Sequence, residues 1–152
     1  MKSFTHRFEV EASLDKVWDF YTNIRHLEMI TPPEMQLNIL STTDERIKEG
    51  SETWLSGKII LNTKWHSRIV AFQPYRYVDK MIIADTSRPL FNYWNHEHVF
   101  EGDDNQTTVI DRIMLQLPFG VFGRCFESYA TARLKKVFQY REAATKRYLE
   151  QS

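Results

Sequence analysis

From Met35 to Leu117 the chain carries no helical period and is rich in β-branched and aromatic residues, while no Gly or Pro follows Gly123. A long β region followed by an unbroken helical stretch admits few architectures. A sheet with one apolar face has to bury it, and one long helix is the partner that remains. Turn signals at Glu49-Gly50, Leu61-Asn62, Gln73-Pro74, Ser87-Arg88-Pro89 and Gly102-Asp103-Asp104-Asn105 divide the β region into six strands, at 35–42, 51–60, 63–72, 75–84, 91–101 and 107–117. Connections this short make an antiparallel meander, which Leu117-Pro118-Phe119-Gly120 closes.

Ahead of the meander, Phe4, His6, Phe8 and Val10 alternate with Thr5, Arg7, Glu9 and Glu11 as a first strand. Ser13 suits a helix N-cap, with Lys16 rather than Glu at the capping-box position. Val17, Trp18, Phe20 and Tyr21 supply the apolar face of a short helix, Ile24 to Met29 add another turn or two, and Thr31-Pro32-Pro33 stops it. On the C-terminal helix, counting about 100° per residue gathers Phe122, Phe126, Tyr129, Ala130, Val137, Tyr140, Ala144 and Tyr148 on one stripe, with Arg133 in its middle. The expected fold is α+β, a curved seven-stranded antiparallel sheet around a long C-terminal helix, with two short helices after strand 1.

At 152 residues, a single domain over 1–152 is expected. The 20 basic and 20 acidic residues cancel, so no net field recruits nucleic acid or an anionic membrane. Arg7, Lys16, Lys58, Lys64 and Arg68 are scattered rather than striped. The single cysteine, Cys125, excludes an internal disulfide and a Cys-based zinc cluster, and reads as a small hydrophobe on the helix flank. The first residues lack the apolar core of a signal peptide and no apolar run approaches about 18 residues, so a soluble, cytoplasmic protein without membrane insertion is expected.

The candidate chemistry centres on Trp94-Asn95-His96-Glu97-His98-Val99-Phe100. Alternation puts Trp94, His96, His98 and Phe100 on one face, where an ordinary core strand would place Val, Ile or Leu. Such a face suits the lining of a semi-polar cavity. A turn centred on Asp103-Asp104 opposes His96 to Asp111, and a two-residue slip opposes His98 to Asp111 instead; both registers bring a His–Asp pair to the inner face. A two-residue loop at Gln73-Pro74 would set Arg68 opposite Asp79. An Asp beside a His orients the imidazole and raises its basicity, which serves a general base, a hydrogen-bond donor to a ligand, or a purely structural pair. No Ser, Cys or Lys stands out as an activated nucleophile. His96 and His98 also have the spacing of two metal ligands, with Asp111, His6 or His66 to complete a set, but that pattern alone is weak and neither metal nor cofactor is expected. Arg133 on the apolar stripe suits a carboxylate or phosphate, or else pairs with Asp79, Asp111 or Glu127.

The order of elements, together with Leu27-Glu28-Met29-Ile30-Thr31-Pro32-Pro33, Gly50-Ser51, Trp65, Ile69, Pro74, Val78-Asp79, Trp94-x-His96-x-His98-x-Phe100, Asp111-Arg112, Leu117-Pro118-Phe119-Gly120 with Gly123, and Phe138-Gln139-Tyr140-Arg141, resembles the START-like (SRPBCC) helix-grip superfamily and its polyketide cyclase/dehydrase-like branch. The resemblance covers nearly the whole chain. It implies a cavity between helix and sheet for a hydrophobic molecule such as a lipid, sterol, quinone, polyketide or plant hormone. It also places Trp18, Tyr21 and the Met29–Pro33 loop over a cavity mouth. No Gly-rich loop supports a sugar-nucleotide epimerase. The expected function is binding of a small apolar or amphipathic ligand by Trp94, His96, His98, Phe100, Asp111, Asp79, Phe126, Tyr129, Arg133 and Trp18. The alternative is a cyclase, dehydratase or isomerase using His96, His98 and Asp111 as general acid and base.

Overall fold

The structure, a computed structural model, describes residues 1–58, 61–83, 90–118 and 120–150. The turn expected at Ser87-Arg88-Pro89, the strand ends expected at residues 59, 60 and 84, Phe119 and the side chain of Phe122 lie outside the described residues.

The chain runs β1 (Lys2–Val10), α1 (Leu14–Tyr21), α2 (His26–Met29), a 3-10 turn (Pro33–Met35), β2 (Asn38–Thr42), β3 (Glu52–Lys58), β4 (Asn62–Gln73), β5 (Arg76–Met81), β6 (Tyr93–Gly102), β7 (Thr107–Gln116) and α3 (Gly120–Leu149). The Ser13 hydroxyl caps α1 by accepting from the Lys16 amide at 3.2 Å. All strands pair antiparallel in one seven-stranded sheet, in the order β1-β7-β6-β5-β4-β3-β2. β1 and β2 are its two edges, and the α1–α2 segment carries the chain between them. This is the expected helix-grip arrangement.

Two registers decide where the site falls. In the β6–β7 hairpin the loop spans four residues, Gly102 pairs with Thr107, and His98 therefore opposes Asp111 while His96 opposes Ile113. The slipped register holds because Asp103 Oδ1 accepts from the amides of Asn105 and Gln106 at 2.8 and 2.9 Å, which builds a wider turn than two residues. Gly102 is needed there, since a Cβ would strike the Gln106 carbonyl. In the β4–β5 hairpin the loop is Pro74-Tyr75, and a bulge between Ile69 and Ala71 shifts the pairing. Arg68 consequently opposes Lys80, not Asp79 as expected, and its guanidinium bonds Glu52 on β3 at 2.7 Å.

The buried face of the helix coincides only in part with the stripe expected for it, sharing Ala130 and Ala144. Ala130, Leu134, Phe138, Arg141, Ala144, Thr145 and Leu149 are buried, while Phe126, Tyr129 and Tyr148 are exposed. Leu134, Phe138, Arg141, Thr145 and Leu149 follow one another at spacings of three and four, so the chain seats this aliphatic and polar row rather than the ring-bearing row beside it. Cys125 is exposed rather than tucked against the core. No helix among the described residues is long and apolar enough to cross a membrane.

Candidate functional site

Three neighbouring strands place four ionisable side chains on the face turned to α3. Strand pairing sets Asp79 on β5 opposite His96 on β6, and His98 on β6 opposite Asp111 on β7. His96 Nε2 donates to Asp111 Oδ1 at 2.8 Å, the diagonal contact across the hairpin being the tighter one. His98 Nε2 donates to Asp79 Oδ2 at 2.7 Å. His98 Nδ1 lies 3.3 Å from Asp111 Oδ1, an ion-pair contact off the line of a good hydrogen bond, and Asp111 Oδ2 has no hydrogen-bond partner among the described residues. The carboxylates accept only, so the donating ring nitrogens must carry the protons. The two imidazoles stack with centroids 3.6 Å apart at 30°, and Tyr77 stacks on His98 at 4.1 Å.

Asp111 is fully buried, and both histidines nearly so. Burial and the neighbouring His98 charge push the His96 pKa down. Burial also opposes charge on His98, but the carboxylates of Asp111 and Asp79 on either side outweigh it and raise its pKa. The same contest holds Asp111 well below the usual carboxylate range: burial works against its charge, and Arg141 with the two histidines prevails. Asp79 is lowered likewise, by His98 and His96 against burial.

Facing this wall is a cavity of about 180 Å³. Trp94 and Met81 from the sheet, Leu134, Val137 and Phe138 from α3, and Ile24, Leu27, Ile30 and Met35 from the α1–α2 segment supply its apolar lining. The polar wall is Asp79, His96 and His98, with Ser67 and Thr53 beside it and Arg141 reaching in from the helix. Arg141 is only 8% exposed. Its guanidinium lies 5.1 Å from the Tyr21 ring and 5.6 Å from the Phe138 ring, and its Nε has no hydrogen-bond partner among the described residues. Burial disfavours its charge, and Asp111 more than offsets that, which raises its pKa. Tyr21 shares a 2.6 Å hydrogen bond with Thr145, and burial pushes its phenol up.

Of the expected site residues, Trp94, His96, His98, Asp79 and Arg133 line the cavity, and Asp111 stands directly behind both imidazoles. Trp18 and Phe100 do not line it. Trp18 packs its ring against Phe72, Tyr75, Tyr77 and Phe100 within 6.0 Å, an aromatic cluster that buries ring surface instead of opening onto a mouth. Phe126 and Tyr129 are 62% and 53% exposed, on the outer side of α3, because the helix seats its other row. His6 and His66 do not complete a set with His96 and His98: His6 bonds Glu142 at 3.1 Å and His66 stacks on Trp54 at 4.5 Å. Sequence reasoning weighs Arg141 beside Arg133 and leans to a structural role, so Arg141 is not among the expected site residues. The signal available was its spacing of three and seven residues from Phe138 and Leu134.

No family profile and no curated protein matches the sequence. Solved structures do. The chain is similar to TTHA0849 from Thermus thermophilus, with a TM-score of 0.73 at 11% identity over 96% of this chain and 95% of that one. A START superfamily protein from Mycobacterium smegmatis gives 0.66 at 13% identity, over 98% and 97%. The Zhui aromatase/cyclase from Streptomyces sp. R1128 gives 0.67 at 16%, over 96% and 89%. Identities this low speak to the fold alone. With its sheet order, its long C-terminal helix and these neighbours, the chain has the helix-grip fold of the START-like superfamily.

Proposed function

We propose that this protein binds a small, largely apolar molecule bearing an acidic head in the cavity between the sheet and α3. The observation that carries the reading is Arg141, a buried guanidinium side chain that lines an otherwise mostly apolar cavity. A guanidinium at a cavity wall matches the charge and geometry of a carboxylate or enolate oxygen, which a ligand's acidic head would supply. The cavity size supports a compact ligand. At about 180 Å³ it exceeds the roughly 150 Å³ apolar cavity that takes up benzene, which suits one or two fused rings better than a long acyl chain.

The test is a fluorescence titration of metal-free protein with 1-naphthoate and with neutral 1-naphthol. The acid is expected to bind at least tenfold more tightly, and Arg141→Gln to erase that preference. Absence of saturable binding by either compound would overturn the reading.

Proton transfer to a bound carbonyl compound is a second reading, favoured by one contact. His96 is held by Asp111 through Nε2, which leaves Nδ1 on the side of Asp79 and the cavity. In that case His96→Gln lowers turnover by about 10²–10⁴, whereas a binding protein changes only in affinity.

A further inference from the structure

We propose that Asp79, His96 and His98 form a binding site for one divalent first-row transition-metal ion, with Asp111 holding the two imidazoles from behind. The inference goes beyond ligand binding and does not rest on it. One oxygen of Asp79 and one ring nitrogen from each histidine lie within 4.8 Å of one another. Asp79 Oδ2 is 2.7 Å from His98 Nε2 and 3.7 Å from His96 Nδ1. Those distances bracket the separation of about 3.3 Å between neighbouring ligand atoms in a tetrahedral site with bonds of about 2.0–2.1 Å. Reaching that spacing changes the two carboxylate–imidazole separations by about 0.6 and 0.4 Å, and the two ring nitrogens start within 4.8 Å of each other.

The nitrogens on the far side supply the second argument. His96 Nε2 donates to Asp111 Oδ1, and His98 Nδ1 sits 3.3 Å from the same oxygen. A carboxylate behind a ligating histidine fixes the tautomer that turns the other nitrogen's lone pair to the metal. Asp111 does so by hydrogen bond for His96 and stands 3.3 Å from Nδ1 of His98, leaving His96 Nδ1 and His98 Nε2 toward Asp79. The proton that now joins His98 Nε2 to Asp79 occupies the place of the ion. Metal binding there would require Nε2 of His98 to be free of its proton, with any proton of the neutral ring on Nδ1, and would set two carboxylates against the two charges of the metal.

Donor chemistry narrows the ion. Two imidazoles and one carboxylate suit Zn²⁺, Co²⁺ or Fe²⁺, whereas Ca²⁺ and Mg²⁺ demand a shell of oxygens. Three protein ligands leave a coordination position open, and Asp79, His96 and His98 all line the cavity, so that position faces it.

The whole chain, stripped with chelator, should be titrated with Co²⁺ and, by competition with a chromophoric chelator, with Zn²⁺. One ion per chain is expected, with visible Co²⁺ absorption bands. Asp79→Asn, at a half-buried position, should weaken binding at least a hundredfold with an unchanged circular-dichroism spectrum. Asp111→Asn should weaken it by about 10–100-fold, and His66→Asn should leave it unchanged. No Co²⁺ bands in the wild type, or equal binding by Asp79→Asn, would overturn the proposal. Since naphthoate binding is measured without metal, failure of one reading leaves the other standing.

Discussion

Asp111 and Arg141 each remove the largest obstacle to burying the other. The carboxylate keeps the guanidinium charged in an apolar cavity, and the guanidinium helps hold the carboxylate ionised where no water reaches it. Breaking one side of such an arrangement costs more than removing both, because a lone buried charge remains. Arg141→Leu is expected to lower stability in urea denaturation, and the double variant with Asp111→Asn to lose less than the sum of the two single changes. The histidines and Asp111 were legible in the sequence because strand alternation is strict: once Trp94 and Phe100 are taken as inward, His96 and His98 have to follow. Arg141 was not. On a helix the inward side must be chosen from competing rows one residue apart, and the rings of Phe126 and Tyr129 weighted the choice toward a row the fold leaves in solvent.

The β6–β7 hairpin sets which side chains meet, and its turn is where that is decided. Asp103 accepts two backbone hydrogen bonds, from Asn105 and Gln106, and these lower its pKa. A carboxyl whose folded pKa lies below its unfolded value, about 3.9, contributes stability above that value and loses it as pH falls through the folded one. The advantage of the wild type over Asp103→Asn in urea denaturation should therefore shrink as pH drops below about 4. Gly102→Ala, which drives a methyl into the Gln106 carbonyl, should cost about 1–3 kcal/mol at any pH. On the outer face of the same strands, Glu97 accepts from Arg76 at 2.6 Å and from Arg112 at 2.7 Å, tying β5, β6 and β7 together behind the histidines. Element order and strand limits were readable because turn residues and apolar alternation are local signals. The hairpin registers were not, since a four-residue turn and the bulge between Ile69 and Ala71 depend on backbone hydrogen bonds that composition does not announce.

Across the whole molecule, a formal net charge of zero and a pI near 7.0 leave little mutual repulsion at neutral pH. Solubility should pass through a minimum near pH 7 and rise on either side, as a simple precipitation series would show. The cavity offers a second test at this scale. Leu134→Phe fills it from the helix, and should raise stability by about 0.5–2 kcal/mol while abolishing 1-naphthoate binding. The cavity also has a divided ancestry along the chain. Its polar wall comes from Asp79, His96, His98 and Arg141, whereas one apolar side comes from Ile24, Leu27, Ile30 and Met35, far upstream. Substitutions in that upstream segment can reshape the room for a ligand's body without disturbing the groups that grip its head. Under the proposed function, exchanging one guest for another therefore calls for changes upstream alone, with the recognising groups left as they are.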